Sequence, residues 1–474
     1  MAEARDVMEK KWDIIIIGGG PGGYVASLRA AQLKRRVALI ENDRLGGTCI
    51  NYGCIPTKYL LYHTHLFTEV KGSKVFDGLL EGLKINLTRL QKEKQRVVNQ
   101  LVQSLELLLK RNGVEVFPGM ARFIDERRVT VEIGGEERVL EGENLILATG
   151  SKPAELPFLK PNGEEVITSQ EALECESVPK KLLVVGAGVV GIELGLLFQR
   201  LGSEVTILEI MPTLLPGWDR ELVSRLQRIL KVQGLTVDTQ MRIEESIVDR
   251  GQVTLKGTCL KDNASFELSG EKVLLATGRK ANSDEIASSL LGIGLDKSGF
   301  VRVNAHLETS IPGIYAIGDL TGGKLLAHKA SYEGVVAVEN ISGEKKTVDY
   351  SALPAAVFSE PECASIGLTE EEAQERGGAV KVGRFPLRAS GRALTMGREE
   401  GMVKIIANER DEILGAHILA PNASEIMAEM SLAMAKGLKL QDIASTIHIH
   451  PTLSEAVMEA SLKANNLALH ILNL

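Results

Sequence analysis

Apolar residues along the chain fall into two patterns, short unbroken runs and three-to-four-residue repeats, and each predicts a different element. WDIIIIGGG (12–20) and NLILATGS (144–151) are continuous apolar runs that end in glycine turns, as strands buried within a sheet do. Between them, TRLQKEKQRVVNQLVQSLELLLKRNG (88–113) carries apolar residues every three or four positions and stops at glycine, which predicts a long helix with a solvated charged face. The layout then recurs: KLLVVGAGVVGIELGLLFQRLGSEVTILE (181–209) and KVLLATGRKAN (272–282) repeat strand, glycine turn, helix, acid-ended strand and a late ATG strand end. A short third section closes with IPGIYAIGDL (311–320). From about residue 350, short strands such as GMVKIIA and ILGAHILA mix with amphipathic helices, an α+β pattern. The Pro-bearing stretches SKPAELPFLKPNGEE and DYSALPAAV read as linkers.

The glycine turns have a physical task. Gly18, Gly20 and Gly23 follow four isoleucines and precede the helical pattern YVASLRAAQL, where a strand must turn sharply into a helix. Without side chains they let backbone N–H groups approach a pyrophosphate, whose charge the helix N-terminus favours. Eighteen residues after Gly23, the strand RRVALIE ends at Glu41, placed to accept from ribose hydroxyls; Gly186, Gly188, Gly191 and Glu209 repeat the arrangement at the same offset. One such motif is weak, whereas two with matching strand, helix and acid predict an α/β chain with two Rossmann-like dinucleotide-binding domains and a C-terminal α+β domain. The expected divisions are 1–150, 151–279, 280–349 and 350–474. Glu209 suits the free 2′-hydroxyl of NAD and repels the 2′-phosphate of NADP, and no Lys or Arg occurs between Glu209 and Arg220.

Composition narrows the function classes. With 474 residues, 44% hydrophobic and 25% charged, the chain reads as an ordinary soluble protein with room for several domains. A net charge of -7 argues against a nucleic-acid surface. The first residues, MAEARDVMEKK, lack the apolar core of a signal peptide, and no run approaches the roughly 18 apolar residues of a membrane span, so a cytoplasmic location is expected.

Five cysteines are too few for a disulfide scaffold, yet GGTCINYGCIPTK (46–58) sets two of them, Cys49 and Cys54, five positions apart. The segment after Cys54 has helical spacing, with Pro56 at a first-turn position, so Cys54 is expected beside a helix N-terminus that favours thiolate. Zinc is the rival reading, with His63 and His65 as further ligands; two positions apart on a helix, those rings point about 200° away from each other, and four ligands do not converge. A passive staple across so short a loop constrains the unfolded chain little. No metal is expected. Cys175, Cys259 and Cys363 are isolated, and His63, His65, His306, His417 and His470 show no partner pattern.

GGTCINYGCIPTK, the paired nucleotide motifs, IYAIGD and the late HIHPTLSEA together resemble the pyridine nucleotide-disulfide oxidoreductases, and among them the branch that oxidises dihydrolipoyl groups, over essentially the whole chain. The resemblance implies FAD in the first fold and NAD in the second, and a Cys49–Cys54 disulfide against the flavin. Cys49 would exchange with the substrate dithiol and Cys54 contact the flavin. Lys58 and Glu193 match the family's pair near the flavin. Gly47, Thr48, Gly119, Thr149, Gly150, Ser151 and Asp319 match FAD positions, as does the LLAH loop of Leu325, Leu326, Ala327 and His328, while Gly278 matches an NAD contact. Two departures stand out: Tyr52 where the family commonly has Val, and Thr57 in place of a common Ser.

Thiol exchange needs a base, because a thiolate attacks and a thiol does not. The base of that motif directly precedes the proline, which selects His450 over His448; Glu455 would orient it. Thr452-x-x-Glu455 also fits a helix capping box, as does Thr369-x-x-Glu372. The resemblance further implies a homodimer, with the C-terminal section as dimerisation domain and His450 serving the partner subunit's disulfide, and a lipoyl domain of a 2-oxoacid dehydrogenase complex or glycine cleavage system as substrate carrier. The activity implied is oxidation of protein-bound dihydrolipoyl groups with reduction of NAD. A glutathione-reductase-like enzyme and a flavin-retaining assembly subunit with little turnover are the alternatives.

Overall fold

Four consecutive isoleucines require a strand covered on both faces, and the strand β1 (Trp12–Ile17) is covered so: Ile15 and Ile17 enter one apolar core, Ile14 and Ile16 another. The structure, a computed structural model, describes residues 11–73, 75, 82–284, 286 and 292–473. The N-terminal residues 1–10, read above for a signal peptide, lie outside the described residues. The chain forms two compact units, one from the described residues of Met1–Leu60, Asn86–Ala154 and Gly278–Val348, the other from those of Leu61–Ile85, Glu155–Thr277 and Asp349–Leu474.

In the first unit β1 is followed by α1 (Pro21–Gln32), β2 (Val37–Glu41), α2 (Gly47–Asn51), α3 (Cys54–Gly72), whose later half belongs to the second unit, and α4 (Leu87–Arg111). Then come β3 (Glu115–Pro118), β4 (Ala121–Phe123), β5 (Arg128–Ile133) and β6 (Glu136–Leu147). The sheet runs β3-β2-β1-β6-β5-β4, with the strand Ile314–Ala316 also paired to β6. Its β3-β2-β1-β6 part is parallel, with Ile17 opposite both Ile40 and Leu147. Helix α4 realises the periodic stretch: Asn86 caps it by accepting from the Arg89 N–H at 2.9 Å, and Val98, Val102, Leu105 and Leu109 form its buried stripe.

The second unit holds a parallel sheet ordered Thr236–Thr239, Glu204–Glu209, Lys181–Val185, Lys272–Leu275, Val166–Ile167, and a three-stranded antiparallel sheet spanning Met241–Asp249, Gln252–Cys259 and Ser265–Gly270. After residue 349 a five-stranded antiparallel sheet carries the helices Ala423–Ala435 and Glu455–Ala464 on its apolar core. Gly383 allows the second of these to lie directly on the strand Val380–Pro386: a Cβ there would sit 1.8 Å from the Ala460 carbonyl oxygen. Cys363 is fully buried in this sheet, and burial pushes its thiol well above the usual range. Among the described residues no helix is long and apolar enough to cross a membrane.

Candidate active site

The two glycine turns are built alike down to individual hydrogen bonds. In the first, the Gly18 N–H donates to the Ile40 carbonyl at 2.8 Å, and in the second the Gly186 N–H donates to the Leu208 carbonyl at 2.8 Å. Glu41 accepts from the N–H of Gly19 at 2.6 Å and of Asp43 at 2.9 Å; Glu209 accepts from Ala187 at 2.7 Å and Met211 at 2.8 Å. Each acid thus uses one oxygen to brace its glycine turn and the other to brace its own strand end, and each oxygen keeps a lone pair for a further donor. Burial raises the Glu41 carboxyl above its ordinary value against the opposing pull of those amide donors. Side chains are excluded at the crossings: a Cβ on Gly23 would lie 1.7 Å from the Gly18 carbonyl oxygen, and on Gly191 1.9 Å from that of Gly186.

Gly188 differs, because a Cβ there meets nothing within 4 Å. It caps the helix Val189–Leu201, so its open side faces the place where an anion would sit on the helix N-terminus. Gly191→Ala is therefore expected to lower thermal stability, whereas Gly188→Ala should keep the fold and raise the KM for NADH at least about tenfold by filling phosphate space. Thermal melts beside NADH titrations separate the two.

Cys49 lies on α2 and Cys54 opens α3, both half-buried. Positive φ angles at Gly46 (92°) and Gly47 (53°) turn the chain into α2, and a Cβ on Gly47 would approach Gly20 Cα to 2.8 Å, which packs the cysteine loop against the first glycine turn. The Asn51 amide ties the loop by donating to the Leu45 and Gly47 carbonyls at 3.0 Å each. Thr57, at the common Ser position, donates to the Gly53 carbonyl at 2.6 Å, a bond that serine makes equally. The Cys49 side chain lies within hydrogen-bonding reach of Cys54. That contact, then burial, then the neighbouring Cys54 charge push the Cys49 thiol far up, with Lys58 pulling the other way. Cys54 stands at the N-terminus of α3, whose partial positive charge favours a thiolate there.

Arg279 and Tyr24 also reach this pair electrostatically, and neither was singled out in the sequence. Arg279 donates from Nε to Ser151 Oγ at 2.6 Å and from Nη2 to the Ser151 carbonyl at 2.5 Å, while Ser151 Oγ donates to Asp319 Oδ2 at 2.5 Å. The link exists because Arg279–Ala281 and Ser151–Pro153 form a two-stranded antiparallel ribbon. Thr149 and Gly150 are tied to Asn282 through a Thr149 hydroxyl bond to its carbonyl at 2.9 Å and an Asn282 N–H bond to the Gly150 carbonyl at 3.0 Å. Gly119 donates to the Glu41 carbonyl at 2.9 Å. Leu326 caps the helix Ala327–Ile341, so Leu325 through His328 lie at its N-terminus. Thr48 is exposed on α2, and Lys58 sits half-buried one turn beyond Cys54. Gly278, at φ 110°, has open space where a Cβ would lie and accepts the Ala154 N–H at 3.0 Å.

In the second unit Glu193 is buried on the helix Val189–Leu201 and accepts the Phe358 N–H at 3.0 Å. His450 and Glu455 are paired, Nδ1 to Oε1 at 2.8 Å, with the His450 side chain 78% exposed. The second carboxylate oxygen accepts the Thr452 N–H at 2.7 Å. One carboxylate therefore orients the ring and braces the turn at once. Burial raises Glu455, but the Thr452 amide and His450 together outweigh it and hold the carboxyl below its ordinary range. The expected capping box at Thr452 forms only by half: its hydroxyl turns back to the Ile449 carbonyl at 2.7 Å, and the helix starts at Glu455 behind Ser454. The box at Thr369 is complete.

His448 is held on both sides. Its Nδ1 lies 2.9 Å from the Thr446 carbonyl and its Nε2 2.9 Å from Glu429, so both ring nitrogens face acceptors. Several histidines without a visible partner in the sequence have one in space. His65 Nε2 lies 3.1 Å from Glu360 and 3.3 Å from Glu69, His417 is buried between Ser365 and the Leu368 carbonyl, and His470 pairs with Glu459 at 2.8 Å. Apart from Glu69, which stands at i+4 from His65 on the same helix, these partners lie up to 295 residues away, beyond any spacing rule. No cluster of three metal-ligating side chains occurs among the described residues.

Family models for pyridine nucleotide-disulphide oxidoreductases match residues 12–334, and for their dimerisation domain residues 353–461. The chain belongs to this family. It is an FAD-dependent, NAD-linked disulfide oxidoreductase that works as a homodimer. A curated relative from Thermus scotoductus named dihydrolipoyl dehydrogenase is 43% identical over 98% of this chain and 100% of its own. One of the same name from Geobacillus stearothermophilus is 40% identical over 97% of each. Among solved structures, LpdA from Mycobacterium tuberculosis superposes with a TM-score of 0.87 at 27% identity, covering 95% of this chain and 99% of that one. The HOCl-induced flavoprotein disulfide reductase RclA from Escherichia coli, as a Cu(II) complex, gives 0.85 at 28% identity with the same coverage.

Proposed function

We propose that the chain oxidises protein-bound dihydrolipoyl groups through a Cys49–Cys54 disulfide and hands the electrons to NAD by way of FAD. The observation that carries this reading is the cysteine pair of α2 and α3 packed on the first glycine turn, with Cys54 at a helix N-terminus. The four sequence divisions are then an FAD domain (1–150), an NAD domain (151–279), a central section completing the FAD site (280–349) and a dimerisation domain (350–474) in a cytoplasmic enzyme.

The cradle fits a dinucleotide. The first glycine turn opens onto the N-terminus of α1, and beside Glu41 lies a cavity of about 350 Å³ lined by Asp43, Arg44, Asn99, Gln103 and Val116, suited to an adenosine end. Bound there, FAD supplies a two-electron carrier between the dithiol and the nicotinamide. Lys58, Ser151 and Asp319 hold it in this reading, with the helix end at Leu325–His328, while Gly188, Gly191 and Glu209 hold NAD.

The thiol chemistry belongs to the protein. His450 of the partner subunit, through Nε2, takes the proton of one substrate thiol, and the resulting thiolate attacks Cys49 Sγ. The Cys49–Cys54 bond breaks, leaving a mixed disulfide and a Cys54 thiolate. The second substrate thiol gives up its proton and attacks the substrate sulfur of the mixed disulfide; the bond to Cys49 Sγ breaks, oxidised lipoyl leaves, and the Cys49 thiolate takes up that proton.

Glu209 carries the cofactor choice. Purified protein should turn over rapidly with NADH plus lipoamide and at most a few per cent as fast with NADPH plus glutathione disulfide; rapid turnover only with the second pair would replace this reading by a glutathione-type reductase.

A further inference from the structure

A lysine and a glutamate with side chains only 5% and 0% exposed form an ion pair at 3.0 Å one helical turn apart on Ala327–Ile341. Burying two charges is expensive, and apolar residues of similar size commonly serve stability as well or better. A buried pair therefore invites the question of what its charged hydrogen bonds accomplish. Here they converge on one glycine. Glu333 Oε2 accepts the Gly318 N–H at 2.6 Å, and Lys329 Nζ donates to the Gly318 carbonyl at 3.1 Å. Lys329 also donates to Thr321 Oγ1 at 3.2 Å, so the three ammonium protons have acceptors in Glu333, Gly318 and Thr321.

Gly318 needs such a clamp. It leaves the strand Ile314–Ala316 with φ at 72° and opens the 3-10 turn Gly318–Thr321, where a Cβ would press to 3.1 Å on Ala330. Its N–H and C=O set the peptide planes on either side, and the next residue is Asp319, whose Oδ2 is engaged by Ser151 Oγ at 2.5 Å with Arg279 3.8 Å away. Charge-assisted hydrogen bonds on both backbone groups of Gly318 leave Asp319 little freedom to rotate about the turn.

We propose that the buried Lys329–Glu333 pair is a positioning device for Asp319, aiming its carboxylate at the sugar-alcohol chain of the bound flavin. This rests on the FAD reading above and adds two residues that do not themselves touch the cofactor. A displaced carboxylate loses oriented hydrogen bonds, and misplacements near 1 Å commonly cost about 10² in a site's performance.

The test is flavin release from the holoenzyme, followed as recovery of FAD fluorescence after dilution, in a double-mutant cycle. Glu333→Gln keeps an acceptor for the Gly318 N–H but removes the charge; it should speed FAD release about 10- to 100-fold in the wild-type background and less than about threefold beside Asp319→Asn, because the pair acts through Asp319. An equal acceleration in both backgrounds, or none in either, overturns the proposal. Should Glu333→Gln not fold, Lys329→Gln, which keeps a donor for the carbonyl, carries the same cycle; failure of both to give soluble dimer assigns the pair to folding and overturns the positioning role. A wild-type protein that takes up no FAD would instead remove the flavin reading itself.

Discussion

Cys54→Ser is expected to abolish both turnover and the long-wavelength absorption band that a thiolate beside an oxidised flavin produces. Serine keeps the shape, but its hydroxyl does not ionise in the working pH range and cannot share a disulfide. Lipoamide turnover should fall at least about 10³-fold, in keeping with the loss of a covalent participant. Cys49→Ser should lose turnover to a similar extent and yet keep the band, since in the proposed roles Cys54, at the N-terminus of α3, is the thiolate beside the flavin. Absorption spectra of the two variants, after addition of two electron equivalents without oxygen, separate these outcomes. A band that persists in Cys54→Ser and vanishes in Cys49→Ser would exchange the roles of the two sulfurs.

The second large effect concerns the dyad. His450→Gln should lower kcat about 10²- to 10⁴-fold, the range of a positioned acid-base group, with little change in bound flavin. Glu455→Gln should cost less, because glutamine can still accept from Nδ1, but the carboxylate that stabilises imidazolium is gone. Glu455 also has a stability consequence with a definite sign. Its carboxyl lies below the ordinary range in the folded protein, so its contribution is complete above the unfolded value near about 4.3 and is lost as pH falls toward the folded value. The acid-side difference in melting temperature between wild type and Glu455→Gln should shrink below about pH 4; a difference that grows there would contradict the pairing.

The parts legible in the sequence are those that covalent spacing encodes. A strand that must turn into a helix within five residues needs glycines at set offsets, and the acids follow at the end of the next strand, so Gly18 to Glu41 and Gly186 to Glu209 can be read directly. The five-residue intervals from Cys49 to Cys54 and from His450 to Glu455 are equally local. Contacts made by the tertiary fold leave no such trace. Arg279 meets Ser151 across 128 residues because two short strands form a ribbon, and no periodicity announces it. Lys329 and Glu333 stand at i,i+4, a spacing that in sequence reads as a surface ion pair; their burial beneath Gly318 reverses the meaning. Gly383 looks like any strand glycine until the helix bearing Glu455 is seen lying on it. His448 and His450 are alike in sequence, and only the acceptors around each ring separate a held histidine from an available base.

The most direct test of electron passage between the sulfur pair and the flavin is an anaerobic reductive titration of the purified dimer with its absorbance followed throughout. Uptake of about four electron equivalents per subunit is expected, two for the disulfide and two for the flavin, with the long-wavelength band maximal after the first two. A protein that binds no FAD, or one that bleaches fully after two electron equivalents with no such band, would contradict it.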